Sequence, residues 1–292
     1  MKFLALSGVD HGLVASLEKK GIERLDMAYK VFPDGEQYLR IPKCEGAEVI
    51  VIQSLYPDQD RKLVELYLAL EALQGNGASV KQVILTYVAY ARQDKRFLKG
   101  EPISVKALYE PLKGIFGIDR LTVVDVHSEE PFRQLGFKLE NIIPHGYLAR
   151  KCGLRIDFVL APDKGALHRA QKLAEEFRVE FDYLEKFRDR ITGEIRVDER
   201  YLDVKNKSVV IVDDIVSTGS TLAKAVEALY RAGAAKVYAI VSHALLVGKA
   251  IEIIERSGIE MLITANTIKH VNPPKWLHIV DIGELLASYI KR

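Results

Sequence analysis

Short apolar runs alternate with helix-periodic stretches along the whole chain, and this alternation restricts the fold more than any other feature. The apolar runs fall at residues 3–7, 49–53, 83–87, 121–126, 158–161, 209–212, 237–241 and 261–264. Between them the apolar spacing is helical. Leu63, Leu66, Tyr67, Leu70 and Leu73 make one stripe, and Val105, Leu108, Leu112 and Phe116 make another. Strand followed by helix followed by strand implies βαβ units and mostly parallel sheets. About ten strands are too many for one sheet of a compact domain. The expectation is therefore an α/β chain with two tandem domains, residues 1–143 and 144–292, each a mostly parallel sheet flanked by helices. Ile143-Pro144-His145-Gly146 marks the boundary and contains no flexible linker.

The most informative single stretch is Val209-Val210-Ile211-Val212-Asp213-Asp214-Ile215-Val216-Ser217-Thr218-Gly219-Ser220-Thr221-Leu222. Four β-branched residues read as a strand buried on both faces. Two carboxylates are expected at its end, then a run of hydroxyl residues around Gly219. A helix follows, with Leu222, Ala225, Val226 and Leu229 on one face. Gly219 permits a positive φ and a close backbone approach. Ser217, Thr218, Ser220 and Thr221 offer hydroxyl donors, and a helix N-terminus offers amides and a positive dipole end. That combination cradles a phosphate. It is not a Walker loop, because no Gly-Lys-Ser/Thr follows the glycine. Asp213 and Asp214 repel phosphate, so they suit vicinal sugar hydroxyls or a metal-held ribose on the same ligand. The plainer alternative is an αβ unit capped by Ser217 or Thr218 with the acids solvated.

Five further segments carry candidate residues. Phe32-Pro33-Asp34-Gly35-Glu36 is a turn signal between strands that presents an aromatic ring and two carboxylates. Tyr90-Ala91-Arg92-Gln93-Asp94-Lys95-Arg96 follows a strand and precedes a helix, where open α/β sheets bind ligands; its cations suit a polyphosphate or a solvated surface. Asp125-Val126-His127 ends a strand and suits a magnesium or phosphate site, or a structural histidine. Asp163 is a helix cap or a magnesium ligand, since magnesium takes one or two carboxylates plus substrate phosphates. Lys186 and Arg188, two apart in a charged hairpin, suit one face of a lid.

Bulk properties exclude some classes. The formal net charge of +2 gives no case for a nucleic acid or an anionic membrane as partner. Cys44 and Cys152 lie far apart, without metal-ligand spacing, and suit a reducing compartment. No apolar run reaches the ~20 residues of a membrane span, and the apolar start at residues 3–7 reads as a strand, too short for a signal peptide. The expected location is cytoplasmic. Val124-Asp125 and Val212-Asp213 give the halves a faint likeness, which fits duplication or chance.

The 209–222 stretch resembles the ribose-phosphate signature of the type I phosphoribosyltransferase superfamily. Taken with the other five segments, nearly the whole chain resembles the ribose-phosphate diphosphokinases, also called phosphoribosyl diphosphate synthetases. The resemblance implies two phosphoribosyltransferase-like domains, with the last helix packing back on the first. It implies ATP contacts at Phe32, Asp34, Gly35, Glu36, Arg92, Gln93, Asp94 and Lys95, the first loop reaching across a subunit interface in a homo-oligomer that is at least a dimer. It implies Mg2+ at His127 and Asp163, and catalysis by Lys186 and Arg188. It implies ribose 5-phosphate binding by Arg188, Asp213, Asp214, Ser217, Thr218, Gly219, Ser220 and Thr221. Ser128-Glu129-Glu130-Pro131-Phe132 replaces a glutamine-rich run of bacterial members and is similar to archaeal-type ones. The activity implied moves the β,γ-diphosphoryl group of ATP to the C1 hydroxyl of ribose 5-phosphate. The alternatives are a phosphoribosyltransferase joining phosphoribosyl diphosphate to a base, or a non-catalytic regulatory relative.

Overall fold

The computed structural model describes residues 1–184, 186–188, 195–197 and 202–290, with the side chains of 186–188 and 195–197 excepted. The chain forms two compact units. The first comprises residues 1–142, 266–269 and the segment from Asp281 onward; the second comprises 143–265 and 270–280.

The first unit runs β1 (Lys2–Ala5), α1 (His11–Lys19), β2 (Glu23–Arg24), β3 (Ala28–Val31), β4 (Gln37–Arg40), β5 (Glu48–Ser54), α2 (Gln59–Gly75), β6 (Ser79–Tyr87), α3 (Ser104–Gly114), β7 (Arg120–Val124), α4 (Glu130–Gln134) and β8 (Lys138–Ile142). Its six-stranded sheet has the order β2-β1-β5-β6-β7-β8, every pair parallel. β3 and β4 form a separate antiparallel hairpin. Val49, Val51, Val83, Leu85, Leu121 and Val123 pack against Leu66, Leu70 and Leu73 of α2 and Val105, Tyr109 and Leu112 of α3. The helical spacing seen in the sequence is thus the spacing that reaches this core. The α3 stripe is one residue too long, because the helix ends at Gly114, before Phe116.

The second unit runs α5 (His145–Lys151), β9 (Phe158–Ala161), α6 (Leu167–Phe177), β10 (Glu180–Tyr183), β11 (Lys186–Arg188), β12 (Ile195–Val197), β13 (Ser208–Val216), α7 (Ser220–Arg231), β14 (Lys236–Ala244), α8 (Ala250–Arg256), β15 (Met261–Ala265) and β16 (Leu277–Val280). Its sheet order is β10-β9-β13-β14-β15-β16, again all parallel. β11 and β12 form an antiparallel hairpin. A final helix, α9 (Gly283–Ile290), belongs to the first unit and packs on α1. There Ser16 bonds to Asp281, and Asn266 Nδ2 donates to Asp10 Oδ1 at 3.0 Å and Asp281 Oδ1 at 2.7 Å.

The two sheets share one topology. In each, the second strand in sequence is followed by a hairpin and then by the third sheet strand, which pairs beside the first. The registers align Val49-Ile50-Val51-Ile52-Gln53-Ser54 with Val209-Val210-Ile211-Val212-Asp213-Asp214, since Lys2 sits opposite Val49 and Phe158 opposite Val209. The likeness of Val124-Asp125 to Val212-Asp213 is therefore not a correspondence: β7 occupies the place of β15, and the counterparts of the acids are Gln53 and Ser54. Asp213 and Asp214 also do not end their strand. Ile215 and Val216 continue the ladder opposite His243 and Ala244, because β-branched residues beyond the acids still fit a buried sheet.

Candidate functional site

In the second unit, β13 delivers Asp213, Asp214 and the hydroxyl loop to the start of α7. Gly219 has φ +77°, and a Cβ there would lie 2.8 Å from the Ile254 side chain and 3.3 Å from the Ala250 carbonyl. The glycine is thus required by backbone hand and by the approach of α8, a need that only the fold reveals. It is also the N-cap of α7, and a glycine there supplies no side chain to cap that helix. The first-turn amides therefore have no side-chain acceptor from the N-cap residue. The amides of Leu245 and Val247 hold the carbonyls of Val216 and Ser217 at 2.8 and 2.9 Å. Thr218, Ser220 and Thr221 are exposed at the loop surface. A Gly219→Ala variant is expected to lose about 1–3 kcal/mol of stability. Denaturant unfolding checks this, and a variant as stable as the parent contradicts the steric account.

The acid pair is electrostatically tense. Burial first, and then the neighbouring Asp214 and Asp163 carboxylates, push the Asp213 carboxyl well above its ordinary range. Asp213 Oδ1 accepts the Asp214 amide at 2.9 Å. Asp214 is buried and faces Arg169 of α6, with Nη2 3.5 Å from Oδ2. Asp163 Oδ1 accepts the Gly165 amide at 3.0 Å and caps the 3₁₀ turn Lys164–Ala166. The fold thus brings Asp163, Asp213 and Asp214 into one field. Arg169 gave no sequence signal, since an arginine in a helix ordinarily reads as solvated.

In the first unit, the β3–β4 tip carries Phe32 to Glu36. Asp34 Oδ1 accepts the Glu36 amide at 3.1 Å, and Gly35 has φ +97°. The turn reading and the display of the ring are one geometry. Phe32 is 38% exposed, meets Tyr38 edge-on at 6.1 Å, and lies 4.6 Å from Lys30 Nζ. The second loop connects β6 to α3. Its exposed Arg92 follows Tyr90, which has φ +60° and bonds through its hydroxyl to Asp60. Gln93 Oε1 accepts the Ser104 hydroxyl at 3.1 Å, and Glu101 Oε2 accepts the Phe97 and Leu98 amides at 2.9 Å each. Asp94 lines a shallow cavity with Ile103 and Lys106, and Lys95 Nζ lies 5.3 Å from the Phe97 ring. The first turn of α2 tethers both loops, Asp60 holding Tyr90 and the Arg61 carbonyl accepting from Gln37 Nε2 at 3.0 Å.

His127 is exposed just beyond β7, after Asp125 at φ +43°. Glu129 accepts from Asn141 at 2.9 Å and pairs with Arg133, and Glu130 accepts from Gln134 at 2.9 Å, so both acids are committed locally. Lys186 and Arg188 occupy alternate positions of β11; their side chains, and the rest of the expected lid at Glu185 and residues 189–194, lie outside the described residues. In the first unit the counterpart of the acid pair is spent internally. Gln53 Oε1 accepts the Gly8 amide at 3.0 Å, and its Nε2 donates to buried Glu65 at 3.1 Å. The segment that follows, Leu55-Tyr56-Pro57-Asp58, has no glycine or hydroxyl run to cradle a phosphate.

The repeated sheet and the hydroxyl loop at the start of α7 define a phosphoribosyltransferase-like α/β protein. The family model for the phosphoribosyl transferase domain matches residues 147–270. The model for the N-terminal domain of ribose phosphate pyrophosphokinase matches residues 9–115. The ribose-phosphate pyrophosphokinase of Sulfurisphaera tokodaii is 40% identical over 290 residues, 98% of each chain. That of Saccharolobus solfataricus is 40% identical over 287 residues, 97% of each chain. The crystal structure of phosphoribosylpyrophosphate synthetase from Mycobacterium smegmatis aligns with TM-score 0.88 at 27% identity, covering 99% of this chain and 97% of that one. The chain belongs to the ribose-phosphate pyrophosphokinase family.

Proposed function

We propose that the chain transfers the β,γ-diphosphoryl group of ATP to the C1 hydroxyl of ribose 5-phosphate, giving 5-phosphoribosyl 1-diphosphate and AMP. The observation that carries this reading is the match of residues 9–115 to the N-terminal domain of ribose phosphate pyrophosphokinase. A base-transferring phosphoribosyltransferase needs only the second unit and leaves the Phe32 and Arg92 loops without a task.

In this reading the 217–221 loop and the α7 amides bind the 5-phosphate, and Asp213 with Asp214 accept from ribose hydroxyls. That fixes the C1 oxygen for in-line attack on the β-phosphorus. The C1 hydroxyl gives up its proton to solvent as a bond forms from O1 to that phosphorus, the bond from the phosphorus to the α-bridging oxygen breaks, and AMP carries that oxygen away. Arg92, Gln93 and the Phe32 tip hold the nucleotide. Lys186 and Arg188 offset charge on the transferring group. The acidic field of Asp163 and Asp213 attracts a divalent cation, and oxygen donors are what magnesium takes. Asp163 in the second unit and His127 in the first are each proposed as a position that would contact Mg2+, and the cation would neutralise phosphate charge.

The protein is a homo-oligomer in this reading, at least a dimer. The exposed apolar residues Val31, Phe32 and Tyr38 on the hairpin, with Val64 and Leu68 on α2, supply a face for a second copy. No described helix is long and apolar enough to cross a membrane, and a cytoplasmic location is part of this reading.

The test is direct. Protein, ATP, magnesium and ribose 5-phosphate are mixed, and the nucleotide products are separated. AMP is expected only when ribose 5-phosphate is present. ADP as the product, or turnover only with phosphoribosyl diphosphate and a base, rejects the proposal.

A further inference from the structure

Arg169 is 3% exposed, on a helix whose other buried residues are Ala170, Leu173 and Ala174. An arginine does not discharge in a protein, and a buried charge persists only when it is paired. Its partner is Asp214, 3.5 Å away and itself buried. Asp214 stands beside Asp213, so a buried cation on a separate element lies against its carboxylate. α6 begins directly after the Asp163 turn, so one side chain ties that turn to β13.

We propose that Arg169 is a positioning residue for the ribose site: it touches no substrate, and it fixes the Asp214 carboxylate in the direction that receives a ribose hydroxyl. This rests on the reading of Asp214 as a ribose contact.

The experiment compares Asp214→Asn, Arg169→Gln, Arg169→Lys and the double variant Arg169→Gln/Asp214→Asn. KM is measured separately for ribose 5-phosphate and ATP, alongside the thermal midpoint. Asp214→Asn is expected to raise KM for ribose 5-phosphate roughly tenfold or more, as loss of a charged hydrogen bond does. Arg169→Gln raises it comparably, and KM for ATP moves less than about twofold. The double variant is no worse than Asp214→Asn alone, the non-additivity of residues acting through one another. Arg169→Lys keeps charge but loses the guanidinium fork; it recovers the thermal midpoint with only part of the ribose affinity.

An Arg169→Gln enzyme with a lower thermal midpoint and unchanged KM for ribose 5-phosphate makes the residue merely structural and overturns the proposal. Should Arg169→Gln not fold, Arg169→Lys decides, an unchanged KM rejecting the role. An unchanged KM in Asp214→Asn sinks the ribose-site reading itself, and the proposal with it.

Discussion

Replacing Lys186 by alanine is expected to lower kcat by about 10²–10³-fold, with KM for ATP and ribose 5-phosphate changed only a few fold. The diphosphoryl group carries its charge on oxygens that need cations most as the bond to AMP stretches. A cation that approaches late stabilises the transition state more than the bound substrates, which is the condition for an effect on kcat alone. The backbone suits such a role. β11 and β12 form a two-stranded hairpin outside both six-stranded sheets, with Lys186 opposite Val197 and Arg188 opposite Ile195. An isolated hairpin of three residues a side is marginal alone. Single-turnover measurement with saturating ATP separates chemistry from product release. Near-normal turnover in the alanine variant removes Lys186 from the catalytic step. Arg188→Lys should be damaging as well, because a lysine does not reproduce the planar fork.

The sequence disclosed most of the architecture, for a physical reason. In both sheets the central strands are covered on two faces and therefore read as unbroken apolar runs; Val209 to Val212 and Val49 to Ile52 are examples. Edge and peripheral strands did not read this way. β2 has two residues, β10 is Glu-Phe-Asp-Tyr, and both lie at a sheet edge where one side needs no apolar cover. The carboxylates at 213 and 214 look like a strand terminus in sequence, yet backbone pairing with β14 continues past them. Pairing is a property of the neighbour as much as of the strand.

The candidate site divides along the same line. Loop chemistry was legible where it is local, as in Thr218-Gly219-Ser220-Thr221 or Pro33-Asp34-Gly35. It was illegible where it depends on distant elements. Gly219 is demanded by Ile254 of α8, and Tyr90 is held by Asp60 of α2. The shared topology explains why only one unit is expected to hold ribose phosphate. Equivalent strand positions carry Asp213-Asp214 in one sheet and Gln53-Ser54 in the other. An amide whose oxygen accepts from Gly8 and Ser54 and whose nitrogen donates to Lys62 and Glu65 has no capacity left for a sugar.

The acid pair leads to the second large effect, in which stability and function move in opposite directions. Asp213 is held above its ordinary pKa by burial, Asp214 and Asp163. A carboxyl raised in the folded state gives stability that is complete below its unfolded pKa and is lost as pH rises through the folded value. The window thus opens near pH 4, the unfolded carboxylate range, and extends upward. Above that range the fold disfavours the charged form of Asp213 relative to the unfolded chain, through burial and the neighbouring carboxylates. Asp213→Asn keeps the shape and removes that cost. The variant is expected to unfold at a higher temperature than the parent near pH 7, and the difference should shrink toward pH 4. It should also bind ribose 5-phosphate about 10–100-fold more weakly, because an amide cannot become the charged acceptor that a carboxyl can offer a sugar hydroxyl. Thermal unfolding of both proteins from pH 4 to 8, with titration of ribose 5-phosphate at pH 7, reads both effects. A midpoint difference independent of pH rejects the electrostatic account of Asp213. Undiminished ribose 5-phosphate binding rejects its place in the site. Both effects together show that the strain at Asp213 is retained because the ligand needs the charge, the usual relation between a site that works and the stability it forgoes.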